Sequence, residues 1–65
     1  MKYKIEDINI GDSVYFENKY ISNYDLYWNV ISIKDGFLQL EVDEMGHKDM
    51  IFVEIKDIKI VIKSI

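Results

Sequence analysis

Apolar and polar residues alternate along most of this chain. From Phe37 to Asp43, Leu38, Leu40 and Val42 fall on one face and Gln39, Glu41 and Asp43 on the other. That is the period-2 signature of a half-buried strand. Asp49 to Ile55 repeats the pattern with Ile51, Val53 and Ile55 on one side, and Ser13 to Glu17 sets Val14 and Phe16 opposite Tyr15. Leu26 to Ile33 is strand-like but ambiguous, because Trp28 and Val30 alternate one way and Tyr27, Ile31 and Ile33 the other. A strand that carries a bulge or bends sharply uses both faces in this manner. Lys59 to Ile65 is predicted as a last strand.

Turn signals separate these runs. Gly11-Asp12 marks the entry to the first strand, and Lys34-Asp35-Gly36 is a hairpin turn of the Asp-Gly kind. Glu44 to Lys48 forms the next turn, and Lys56-Asp57-Ile58 reads as a short helical turn before the last strand. Asn18 to Asp25 is polar and aromatic and reads as a long loop or an irregular hairpin. Lys4 to Ile10 fits neither period and reads as a lead-in turn with one short strand at most. Proline is missing and the three glycines lie apart, so no linker divides the chain. The expectation is one all-β domain over residues 1–65, with five strands in a small barrel or sandwich.

Composition strengthens the β reading. Twelve isoleucines stand against three leucines and no alanine, and stiff β-branched side chains suit a pleated surface. With 49% hydrophobic residues the chain is too apolar for intrinsic disorder. No apolar run approaches the ~18 residues of a membrane helix, and Met1-Lys2-Tyr3-Lys4 does not open a cleavable leader. A cytoplasmic protein without membrane contact is expected. The absence of cysteine removes disulfides, thiolate catalysis and sulfur-based zinc sites. Abundant Ile, Lys, Asn and Tyr with no arginine fit an AT-rich coding sequence, hence a low-GC bacterium or its phage.

Twelve acidic and eight basic residues leave a net charge of −4. Phosphate-backbone binding needs a positive field, and the lysines are scattered, with only Lys56, Lys59 and Lys63 able to form a basic edge. Nucleic-acid binding is therefore not expected.

The order of features, from the Gly11-Asp12 opening through the aromatic loop and the Asp35-Gly36 turn to the Lys56-Asp57-Ile58 turn, resembles the SH3-like barrels over roughly residues 8–62. The likeness is to their Tudor and KOW-like branch. It implies a five-stranded SH3-like barrel with a short helical turn before the last strand. A Tudor likeness further implies an aromatic cage for methylated side chains, whose ring faces attract a cation. Tyr27 matches a cage aromatic at the start of the second strand. Where such domains place further aromatics and an asparagine, this chain has Met45 and His47, a departure from the cage pattern. A KOW likeness implies ribosomal or transcription-complex contacts, against which the acidic charge weighs.

Tyr20, Tyr24, Tyr27 and Trp28 put four aromatics into nine residues. On a loop they form a surface of amphipathic rings of the kind that anchors protein interfaces. The competing structural reading is that Trp28 and one or two tyrosines cap a thin core. Asp43 to Asp49 gathers carboxylates around His47, the sole histidine, but no spacing matches a ligand motif, so neither metal nor cofactor is expected. Serines without a nucleophile context, and no phosphate-binding glycine loop, give no support for an enzyme. The reading is a non-enzymatic module that binds a protein segment through Tyr20, Tyr24, Asp25, Tyr27 and Trp28, with Asp25 and Trp28 shaping the loop. One alternative is an acidic, phage-type nucleic-acid mimic using Glu41, Asp43, Glu44, Asp49 and Glu54. Another is a structural subunit that self-associates through Met50, Phe52 and Val61. The chain is expected to be a monomer or a weak homo-oligomer.

Overall fold

Five antiparallel strands follow the alternation closely. In the computed structural model, which describes residues 3–64, they are β1 (Ser13–Phe16), β2 (Trp28–Lys34), β3 (Phe37–Glu44), β4 (His47–Glu54) and β5 (Ile58–Ile62). They form one sheet in the order β4-β3-β2-β1-β5. The sheet is open, since no ladder joins β4 to β5 among the described residues. Short 3-10 turns cover Ile5–Asp7 and Ile55–Asp57. Among the described residues no helix is long and apolar enough to cross a membrane.

The hairpin turns are built alike. Asp35-Gly36 and Met45-Gly46 each hold both central residues at positive φ, the type I′ geometry whose twist matches the flanking strands. Glycine takes the second position in both. They fix β3 against its neighbours so that Leu38 pairs with Val53, Leu40 with Ile51, and Val42 with Asp49. One face of the sheet thus gathers Val14, Phe16, Trp28, Val30, Leu38 and Leu40, all essentially excluded from solvent. We call this the inner face. The outer face carries Ser13, Tyr15, Asn29, Gln39, Glu41, Met50 and Phe52.

The ambiguity of the second strand has a local cause. The β2–β3 register shifts between Val30 and Ser32, so Ile31 is the extra residue of a β-bulge. Trp28 and Val30 face inward before it and Ile33, opposite Leu38, faces inward after it. Both patterns in the sequence are therefore used, one on each side of the bulge.

Several expectations need correction. Lys4 to Ile10 contains a 3-10 turn and no strand, and Ile8 is buried in the core. The second strand begins at Trp28, leaving Leu26 and Tyr27 in the loop. The helical turn starts at Ile55 and the last strand at Ile58, and it ends at Ile62; Ile65 lies outside the described residues. Val61 is paired with Val14 and packs against the core, so it is not an exposed strand-face residue. Ile60 and Ile62 are exposed in its place.

Lys63 is not free to join a basic edge. Its Nζ lies 2.8 Å from Oδ2 of Asp12, which is 1% exposed. The Asp12 carboxylate also accepts from the backbone N–H groups of Ser64 (3.0 Å) and Asn9 (2.8 Å). These partners, Lys63 first, hold its pKa down at about 2 against an ordinary 3.8, more than offsetting the effect of burial. One buried carboxylate thus ties the lead-in turn to the C-terminal end of the chain.

Candidate functional site

The long loop between β1 and β2 is organised by Asn23. Its side-chain amide donates to the Phe16 carbonyl (2.7 Å) and its Oδ1 accepts from the Asp25 N–H (2.7 Å). Its backbone carbonyl accepts from the Leu26 N–H and from the Trp28 indole Nε1, both at 3.0 Å. These bonds close a tight turn in which Tyr24 and Asp25 both stand at positive φ, 55° and 56°. The two hairpin turns place glycine at the second such position; this one places Asp25, a less comfortable choice.

The turn lays the Tyr24 ring over Trp28. Their centroids are 6.0 Å apart and their planes differ by 20°. Trp28 is fully buried and makes an edge contact with Phe16 at 5.6 Å, while Tyr24 is 52% exposed. A partner therefore cannot touch the Trp28 ring. The indole acts as a rigid floor and Tyr24 is the ring it presents to solvent.

Beside this ring lies the tip of the β3–β4 hairpin. The inner face is apolar through Leu40, Ile51 and Val42, then becomes polar at Asp49, Glu44 and His47, with Glu44 paired to His47. Asp49 lies close enough to the Tyr24 phenol to push its pKa up, through its charge first and its capacity to accept the hydroxyl proton second, with Glu44 contributing least. Loop and acidic turn, separate candidates in the sequence, meet at one end of the inner face. Among the described residues no three His, Asp or Glu side chains converge so as to hold a metal ion.

The other loop residues go elsewhere. Tyr27 lies on the outer face against Tyr15, with centroids 5.6 Å apart, because the alternation that turns Trp28 inward turns its neighbour outward. Tyr27 is therefore remote in direction from the Met45–His47 turn that a cage would need. Tyr20 is 90% exposed and borders a shallow depression of about 340 Å³ with Glu17, Asn18, Lys19, Lys56 and Asp57. Asp25 is exposed at the turn. The five residues thus form no single surface. Asn23 and Asp49 complete the arrangement around Tyr24, and sequence reasoning missed both roles, loop organiser and ring partner. The Asx-turn habit of asparagine in a Ser-Asn-Tyr-Asp run was the available signal for Asn23; nothing local signals Asp49.

The carboxylates of the hairpin are also divided. Glu41 is 3.8 Å from Lys48 and Glu54 is 3.5 Å from Lys56. Glu41 and Asp43 lie on the outer face and Glu44 and Asp49 on the inner. No family model, curated protein or solved structure matches this chain.

Proposed function

We infer that the protein is a non-enzymatic interaction module of SH3-like barrel type that recognises a protein segment through Tyr24. The antiparallel order β4-β3-β2-β1-β5, the long β1–β2 loop and the 3-10 turn before the last strand support the barrel reading. The observation that carries the function is the Tyr24 ring, half exposed, stacked on a buried tryptophan, with Asp49 close to its hydroxyl. A ring on a rigid floor loses little freedom on binding, so its contact area converts efficiently to affinity. A carboxylate beside an aromatic ring selects a cation, and a lysine or arginine side chain satisfies both features at once. The ligand class is accordingly a segment bearing a basic side chain. Tyr20 extends the exposed loop surface, Asp25 shapes the turn, and Trp28 supports the ring without being touched.

The acidic-mimic reading has less behind it, because two of its five carboxylates are already paired with lysines and the set is split between faces. A salt series tells the two apart. Binding through the ring should weaken modestly with added salt, whereas mimicry through carboxylates alone should collapse. A lysine-bearing and a glutamate-bearing peptide of equal length are titrated into wild type, Tyr24→Ser and Asp49→Asn. The inference requires that only the lysine peptide binds and that both substitutions abolish it.

A further inference from the structure

The two open edges of the sheet differ in kind. β5 has five residues, and its ladder to β1 is interrupted between Tyr15 and Phe16. β4 has eight residues and pairs with β3 at eight consecutive positions without a bulge. Natural edges are commonly blunted by brevity, bulges, proline or an inward charge. β4 has no bulge or proline and its one inward charge, Asp49, sits toward the hairpin end; beyond it the strand presents Met50 and Phe52, both more than half exposed, on the outer face.

The two-residue Met45-Gly46 turn makes Glu44 and His47 the closing hydrogen-bonded pair. Counting along the alternation, Lys48, Met50, Phe52 and Glu54 turn their backbone N–H and C=O groups away from β3. The Glu54 N–H donates to the Asp57 carboxylate at 3.3 Å, so only its carbonyl is available. The remaining groups are a strand edge without a ladder.

We propose that two copies of this chain associate by antiparallel pairing of β4 with β4 about a twofold axis at Ile51. Symmetry allows only a few registers that keep both outer faces on one side, and charge selects among them. With Ile51 on the axis, Lys48 stands opposite Glu54 of the second copy and Met50 opposite Phe52 of the second copy. Moving the axis to Met50 sets Lys48 against Phe52, and moving it to Phe52 sets Met50 against Glu54. On the outer face, only the Ile51 register matches charge with charge and apolar with apolar. The intramolecular pairs that Lys48 and Glu54 make, with Glu41 and Lys56, are solvent-accessible contacts at 3.8 and 3.5 Å, which are weak enough to be exchanged. The contact is the same patch on both copies, so it closes as a dimer. Phe37, which with Phe52, Lys34 and Asp35 lines a shallow apolar depression of about 400 Å³, extends the joined outer face.

The absence of cysteine makes the register directly readable. Residues facing each other across a non-hydrogen-bonded antiparallel pair have Cα atoms about 4.5 Å apart, within disulfide range, while diagonal neighbours at about 7–8 Å are not. Ile51→Cys, Met50→Cys and Phe52→Cys proteins are oxidised separately in a glutathione buffer. Light scattering on wild type and Phe52→Lys at micromolar to millimolar concentration accompanies them. We expect disulfide-linked dimer chiefly from Ile51→Cys, a wild-type mass that rises to twice the monomer, and a monomeric but folded Phe52→Lys. Dominant cross-linking from Met50→Cys or Phe52→Cys, a wild-type mass that stays monomeric at millimolar concentration, or one that exceeds the dimer overturns the proposal. If Ile51→Cys does not fold, the wild-type mass and the Phe52→Lys result decide.

Discussion

Lys63 donates to Asp12 at 2.8 Å across 51 residues of sequence, and the carboxylate it meets is almost wholly buried. Removing one partner of such a pair leaves a charge or a set of N–H groups without compensation. Asp12→Ala leaves the half-exposed Lys63 and the Ser64 and Asn9 N–H groups without their acceptor, and should cost about 1–3 kcal/mol, a large share of a small domain's stability. Chemical denaturation measures it directly.

The same contact fixes an acid limit. The Asp12 pKa is lowered in the folded chain, from 3.8 to about 2, so its ionised form favours folding. That contribution is fully present above pH ~4 and is lost as the pH falls from about 4 toward 2. Each tenfold change in proton affinity is worth ~1.4 kcal/mol, which makes the contribution about 2 kcal/mol. Unfolding free energies measured over that window should fall in wild type, and the component due to Asp12 should be missing from Asp12→Asn.

The core prediction rests on register. Leu40 and Val53 lie on the inner face and are essentially buried. Replacing either by alanine should lower stability by about 2–4 kcal/mol. Gln39→Ala and Glu41→Ala, on the outer face, should stay within about 0.5 kcal/mol. Equal denaturant midpoints for the two groups would mean the strands are paired differently.

Strand identity was legible because alternation and Asp-Gly chemistry act locally. Leu38, Leu40 and Val42 face inward as their spacing requires, and the Asp35-Gly36 turn is of the type its residues favour. What was not legible is decided by contacts distant in sequence. Ile8 is core because the lead-in turn is held down by Asp12 and Lys63, an ion pair that no periodicity signals. Tyr24 and Tyr27 are separated because Trp28 must face inward, and Tyr24 meets Asp49 only once β3 and β4 are paired. Aromatic density marked the loop that carries Tyr24 but not which ring that loop presents to solvent.

The strained loop turn yields a prediction of opposite sign. Asp25 stands at φ 56°, where the hairpin turns use glycine. Asp25→Gly should raise stability slightly, by up to about 1 kcal/mol, because glycine adopts this conformation without the side-chain penalty. A lower thermal midpoint would mean that the Asp25 side chain contributes more than its backbone costs.

Asp49 can be checked against Tyr24 without any ligand. Its charge is the main reason the phenol's pKa is raised. Asp49→Asn should therefore shift the Tyr24 titration to lower pH, read by NMR of the ring protons, while Asp43→Asn on the outer face should leave it in place. An unmoved Tyr24 titration in Asp49→Asn would separate loop from hairpin tip.

The most direct test of recognition through Tyr24 uses the chain's sole tryptophan. Its indole N–H donates to Asn23 beneath the Tyr24 ring and gives a single side-chain resonance in a nitrogen-correlated NMR spectrum. A lysine-bearing peptide is titrated into labelled wild type and Tyr24→Ser. The account predicts saturable shifts of the indole resonance and of the Tyr24 and Asp49 amides in wild type, and none in a folded Tyr24→Ser. Shifts confined to β4 and the outer face, or undiminished in Tyr24→Ser, would contradict it.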